Sequence, residues 1–242
     1  MSEHSNTPET PAIQPRHVFS SLPKYAAGKP PTPVEGLKQY KLSSNENPHG
    51  PIPEVARILA EFDATHRYPD PLSTKLRTAL AHHLGVDAHN IVTGAGSLGA
   101  LNQILKAFAG ASLDGTQDEV IYAWRSFEAY PILVGLLGAK SVQIPNLPNG
   151  AHDLNAMAQA VTDRTRVILV CTPNNPTGPA VTEAQMREFL TKIPENVVVV
   201  IDEAYYEFCT ASTVPAGQNA PVNGLNLLND HPNVIVLRTF SK

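Results

Sequence analysis

The chemistry-bearing residues of this chain gather after short apolar runs, most tightly in Val234-Ile-Val-Leu-Arg-Thr-Phe-Ser-Lys242. The run ending at Leu237 predicts a buried strand. It delivers Arg238, Thr239, Ser241 and Lys242 to the strand's carboxyl end, where open α/β sheets place their ligands. A primary amine beside two hydroxyls suits a small molecule carrying both an aldehyde and a phosphate. Two more runs end the same way. Cys171-Thr-Pro-Asn-Asn-Pro-Thr-Gly178 presents Asn175 at a turn, and Val197-Val-Val-Val-Ile201 is followed by Asp202-Glu-Ala-Tyr205. Taken singly, Asp202 reads equally as a helix cap, Tyr205 as a core edge and Asn175 as a turn residue.

Gly94-Ala-Gly-Ser-Leu-Gly99 stands between a predicted strand and a predicted helix and satisfies the dinucleotide fingerprint GxGxxG. An NAD-binding oxidoreductase also needs an acidic residue at the end of the following strand to hold the ribose. That strand ends Tyr122-Ala-Trp124, and its acids, Asp118 and Glu119, stand at its beginning. The dinucleotide reading fails there. A more general chemistry survives: the amides of Ala95, Gly96 and Ser97 at a helix start can hold a phosphate monoester.

The elements that must position these groups alternate. Strands are predicted at 91–93, 120–123, 141–144, 166–171, 197–201 and 234–237. Helices are predicted at 97–108, 128–137, 154–160 and 183–192 between them, and at 53–62 and 73–84 before them. Short β-branched runs joined by crossover helices imply a largely parallel sheet covered on both faces. The segment 18–53 is rich in proline and glycine and reads as an extended arm, while 211–223 reads as a loop. Residues 1–17 read as a disordered tail without the basic start and apolar centre of a signal peptide.

The chain has 242 residues and a net charge of −4, which gives no basic field for nucleic acid or anionic membrane. No apolar run approaches the length of a membrane span. Its two cysteines, Cys171 and Cys209, fit neither a disulfide framework nor a metal site, and the nine histidines form no constellation. A cytoplasmic location and no metal are the expectations.

The ordered set of a glycine phosphate turn, NNPTG, DEAY and the SK lysine resembles the fold-type I pyridoxal-phosphate aminotransferases. Within them it resembles the histidinol-phosphate aminotransferase group, over about residues 20–242. The resemblance implies an α/β, aspartate-aminotransferase-like large domain with a mostly parallel mixed sheet, occupying residues 54–242. It also implies pyridoxal 5'-phosphate as cofactor, with Lys242 forming a Schiff base to its aldehyde and then moving the substrate proton. Asp202 would face the pyridine nitrogen, and Tyr205 and Asn175 the phenolic oxygen. The phosphate would be held by Ala95, Gly96, Ser97, Thr239 and Ser241. Tyr68, in Arg67-Tyr-Pro-Asp70, would reach the neighbouring subunit's phosphate, which makes a homodimer the expected assembly. Phe127, in Trp124-Arg-Ser-Phe-Glu-Ala-Tyr130, would stack on the cofactor ring; Tyr130 is read as either core or site. Tyr25 and Asn45 would line the substrate side.

The resemblance implies transamination between an amino donor and a 2-oxo acid such as 2-oxoglutarate. The WRSFE and RTFSK segments are similar to an aromatic amino-acid branch known from actinobacterial enzymes, so an aromatic donor is favoured over histidinol phosphate. A lyase or decarboxylase could reuse the same core. Family members continue beyond the lysine into further strands and a C-terminal small domain. The expectation is therefore a large domain incomplete at Lys242, lacking the small domain, with an inactive remnant as a further alternative.

Overall fold

The computed structural model describes residues 16–23, 29, 32–41, 44–47, 49–209 and 220–242. Tyr25 and most of the 211–223 loop lie outside these residues. Among them, five strands form one sheet: β1 (Glu119–Trp124), β2 (Lys140–Pro145), β3 (Thr165–Cys171), β4 (Val198–Asp202) and β5 (Val234–Leu237). Their spatial order is β2-β1-β3-β4-β5, and every neighbouring pair is parallel. The mixed sheet implied by the resemblance is thus purely parallel over the described residues.

Strand alternation divides the core into two layers. Val120 and Tyr122 of β1, Val167, Leu169 and Cys171 of β3, Val200 of β4 and Leu237 of β5 share one face. Leu101 and Leu105 of α3 (Gly96–Phe108) and Tyr130 and Val134 of α4 (Ala129–Leu137) cover it. The opposite face carries Ile121, Ala123, Ile168, Val170, Val199 and Ile201. It packs under Met157 of α5 (Leu154–Gln159) and Met186, Phe189 and Leu190 of α6 (Glu183–Leu190). Parallel strands buried on both faces require β-branched and aliphatic residues at nearly every position, which is what the valine runs supply.

Local signals end the helices. Gly85 and Gly138 take left-handed conformations after α2 (Thr74–Leu84) and α4, and Thr182 with Gln185 forms a capping box before α6. At the start of the arm a 3-10 turn, His17–Ser20, lies against α4, and Arg16 Nη1 donates to the Leu136 carbonyl. The helix α1 (Pro53–Glu61) opens with proline, as its sequence predicts, but buries no residue.

One expected strand does not form. Among the described residues, 91–93 form no strand, and Val92 is 69% exposed. Their β-branched composition is that of a strand; they lack a neighbour to receive the ladder hydrogen bonds.

Candidate active site

Parallel strands bring all their carboxyl ends to one rim. The register sets Cys171 beside Asp202 and Asp202 beside Leu237, so the turns after β3, β4 and β5 open together. Asp202 is the last residue of β4 and is 4% exposed. Its Oδ2 accepts a 2.6 Å hydrogen bond from the Tyr130 hydroxyl, and its Oδ1 accepts one from the Ala204 amide at 3.2 Å. Burial pushes its carboxyl above the ordinary range, opposed by those two donors. Among the described residues no cation pairs with it. A buried carboxylate without an ion-pair partner is costly, and it fits a ligand that brings a positive charge.

Tyr205 collects two side-chain amides. Asn45 Nδ2 donates to its hydroxyl at 3.0 Å and Asn175 Nδ2 at 3.2 Å. Two donors occupy the acceptor sites of a phenol, so its own proton is left to point elsewhere. Asn45, expected on the substrate side, thus contacts Tyr205; its backbone is left-handed, with φ +50°, a conformation that asparagine tolerates. Lys242 Nζ stands 5.6 Å from the Tyr205 ring centroid.

The expected phosphate groups also converge. No side chain caps the start of α3, which leaves its first amides open to an anion. A methyl group built on Gly96 would stand 3.9 Å from Thr239 Oγ1, so the glycine turn faces the turn after β5. There Thr239 donates to Ser241 Oγ at 2.9 Å, and the Ser241 amide donates back to Thr239 Oγ1 at 3.1 Å. Ala95 is the N-cap of α3 and Ser97 lies in its first turn.

Phe127 is partly buried and meets Tyr130 edge-on, with centroids 5.6 Å apart and planes at 89°. Tyr68 is fully exposed.

Sequence reasoning missed the residues that brace these groups. Asn174, 3% exposed, accepts from Ser126 Oγ at 2.7 Å and donates to the Arg125 carbonyl at 2.9 Å and Thr177 Oγ1 at 2.6 Å. It ties the NNPTG turn to the segment after β1, and so fixes Asn175 relative to Phe127. Glu203, fully buried, accepts from the Gly224 amide at 2.6 Å and pairs with Arg238. For Glu203 a signal was present: it directly follows Asp202 at the end of β4, where successive side chains point to opposite faces.

Comparison with known proteins agrees with this arrangement. Residues 38–242 match the family described as aminotransferase class I and II. The aromatic amino acid aminotransferase of Streptomyces coelicolor is 47% identical over 228 residues, covering 94% of this chain and 60% of that protein. The enzyme of the same name from Thermobifida fusca is 48% identical with the same coverage. The chain therefore spans about 60% of the length of these relatives. Among solved structures, the histidinol-phosphate aminotransferase from Sinorhizobium meliloti, in complex with pyridoxal-5'-phosphate, superimposes with a TM-score of 0.69 at 30% identity. That match covers 82% of this chain and 51% of the other. With a parallel sheet whose strand ends gather a lysine, a buried aspartate without a cationic partner among the described residues and an asparagine–tyrosine pair, the chain belongs to the class I and II aminotransferase family.

Proposed function

We propose that the protein transfers the amino group of an aromatic amino acid to a 2-oxo acid, using pyridoxal 5'-phosphate held at the strand ends. The single observation that carries this reading is the buried Asp202 carboxylate, which has no cationic partner among the described residues and shares its rim with Tyr205 and Lys242. The residues present fit that cofactor by the chemistry of the donor set: an acid, two amides, a phenol, two hydroxyls and an uncapped helix start. When bound, pyridoxal phosphate supplies an aldehyde that condenses with amines and a pyridinium ring that accepts electrons.

Each of this chain's groups has a part. Asp202 would face the ring nitrogen and favour its protonated form, as an adjacent carboxylate does. Tyr205, whose oxygen accepts from Asn45 and Asn175, would keep its own proton for the ring's phenolic oxygen. Thr239, Ser241 and the amides of Ala95, Gly96 and Ser97 take the phosphate. Lys242 Nζ would supply the amine that holds the aldehyde and would carry the proton of the substrate α-carbon. Phe127 fixes the ring plane from one side. Tyr25 is assigned to the substrate side. We assign residues 18–53 to an arm and 54–242 to a large domain.

The aromatic donor is favoured by the 47% and 48% identity to enzymes named for that activity. Histidinol phosphate is the second reading, favoured by the superposition on an enzyme named for it. The working assembly is a cytoplasmic homodimer. Supporting it, Tyr68 projects fully into solvent, and Val55, Ile58, Leu59 and Phe62 leave an apolar stripe along α1 uncovered. Among the described residues no helix is long and apolar enough to cross a membrane.

The test is direct. After incubation with pyridoxal phosphate, borohydride reduction and digestion, mass spectrometry should place the adduct on Lys242. Turnover of phenylalanine or tyrosine against histidinol phosphate, with 2-oxoglutarate as acceptor, then separates the two donors. An adduct on another lysine, or none, would refute the assignment.

A further inference from the structure

We infer that Tyr130 is a positioning residue for the cofactor's ring nitrogen, acting through the hydrogen bond from its hydroxyl to Asp202 and its ring contact with Phe127. The inference rests on the reading of Asp202 as the partner of that nitrogen.

Tyr130 lies in the first turn of α4 and is fully buried. Packing alone would be served equally by phenylalanine, and a buried hydroxyl is tolerated only with a partner. The partner here is the Asp202 carboxylate at 2.6 Å, the length of a strong bond to an ionised acceptor. Since Oδ1 already accepts the Ala204 amide, the carboxylate is held from two sides and cannot rotate freely. Its remaining lone pairs are committed to one direction.

The ring of Tyr130 is fixed in turn. Tyr122 of β1 meets it edge-on at 5.6 Å and 67°, and Phe127 meets it at 5.6 Å and 89°. One side chain therefore touches both the acid assigned to the ring nitrogen and the aromatic assigned to the ring face. The relative height of these two groups determines whether a flat heterocycle satisfies both at once.

The electrostatics suit this role. Burial pushes the Tyr130 phenol well above its ordinary range, so it stays a donor at physiological pH. The third titratable group at the spot, the Cys171 thiol, is pushed up to about 12 by burial and by Asp202, and stays neutral. The Tyr130 hydrogen bond is the largest influence keeping Asp202 ionised against its burial. Without it, the acid loses the donor that fixes its aim, and only the Ala204 amide opposes its burial.

The experiment is a double-mutant cycle in the full chain, with Tyr130→Phe, Asp202→Asn and the two combined. Its readouts are pyridoxal phosphate affinity by fluorescence titration and the pH midpoint of the bound chromophore's visible absorbance. Tyr130→Phe should weaken cofactor binding by about tenfold and shift that midpoint. In the Asp202→Asn background the same change should have an effect below about twofold. Tyr122→Phe, which alters the same aromatic cluster without touching Asp202, should leave both readouts unchanged.

An equal loss in both backgrounds would reduce Tyr130 to packing and overturn the inference, as would wild-type behaviour of Tyr130→Phe. Should that variant fail to fold, the Tyr130 hydroxyl proton gives a second measurement. Its NMR resonance in the otherwise wild-type protein should lie far downfield and move upfield in Asp202→Asn; an unchanged position would overturn the inference. If the wild type takes up no pyridoxal phosphate, the functional reading falls along with this one. If it does and Tyr130→Phe is indistinguishable from it, only this one falls.

Discussion

Arg238 sets its guanidinium against the fully buried carboxylate of Glu203, with Nη2 2.8 Å from Oε2. The same guanidinium lies over the Tyr206 ring at 3.9 Å and donates to Asn223. The pair joins the residue after β4 to the residue after β5, and so sets the spacing between Asp202 on one side and Thr239 to Lys242 on the other. Burial raises the Glu203 carboxyl, and Arg238 and the Gly224 amide pull it back. Arg238→Met strands a buried carboxylate and should cost about 3–5 kcal/mol. Glu203→Gln keeps an acceptor for the Gly224 amide and should cost about 1–2 kcal/mol. Urea denaturation of the two variants checks both the order and the size.

Asp202 makes the opposite prediction for stability. Its pKa is raised in the folded protein by burial, so the folded state binds a proton more readily than the unfolded chain. Its contribution to the cofactor-free protein is therefore greatest below the unfolded pKa and is lost as pH rises through the folded value. Asp202→Asn removes the charge and keeps an acceptor for the Ala204 amide, but the Tyr130 hydroxyl proton loses its carboxylate acceptor, which offsets part of the gain. The wild type should lose stability as pH rises from the unfolded pKa through the raised folded one, and the variant should not. Thermal melts of the cofactor-free proteins across pH check this; a wild-type melting temperature that stays flat across that window would count against the buried charge.

What was legible in the sequence follows from which interactions are local. The runs around Val120, Val167, Val199 and Val234 announced strands buried on both faces, since only such strands need apolar residues at consecutive positions. The order of Asn175, Asp202, Tyr205 and Lys242 after those runs implies that they share one rim of a parallel sheet. The contacts that aim them were not legible. Nothing in the sequence tells that Tyr130 reaches Asp202 across 72 positions, because an aromatic in the first turn of an apolar helix reads equally as core or as site. Asn174 and Asn175 are the same residue type side by side in a turn, and only the contacts of Asn174 with Ser126, Arg125 and Thr177 tell the two apart. Residues 91–93 show the converse limit: their composition is that of a strand, but pairing depends on a neighbour that composition cannot supply.

The glycine turn separates packing from binding at two positions two residues apart. A methyl group built on Gly94 would lie 2.6 Å from the Ala100 nitrogen and 2.9 Å from the Gly99 carbonyl carbon, both backbone atoms. Gly94→Ala should therefore push the turn away from α3 and destabilise the fold by about 1–3 kcal/mol. At Gly96 the space is open apart from Thr239, but φ is +66°. Gly96→Ala should cost about 1 kcal/mol in backbone strain. Its larger effect should be on pyridoxal phosphate affinity, because the added methyl group faces the Thr239 hydroxyl. Melting temperatures and cofactor titrations of the two variants should rank in opposite orders.

The apolar stripe of α1 bears on the assembly. Leu59 is 69% exposed and Ile58 56%, on a helix that buries none of its residues within the chain. Introducing a charge there costs the isolated fold little, since exposed positions tolerate substitution within about 0.5 kcal/mol. In a homodimer that buries the stripe, the same charge is desolvated at the centre of an interface. Leu59→Glu should thus convert a dimer into a monomer in sedimentation velocity, with the monomer's circular dichroism spectrum unchanged. Tyr68 supplies the functional counterpart. If it completes a neighbouring subunit's phosphate site, Tyr68→Phe should weaken pyridoxal phosphate binding in the dimer and have no effect in the Leu59→Glu background. A Tyr68→Phe effect that persists in the monomer would place Tyr68 in its own subunit's site and remove the argument for a shared one.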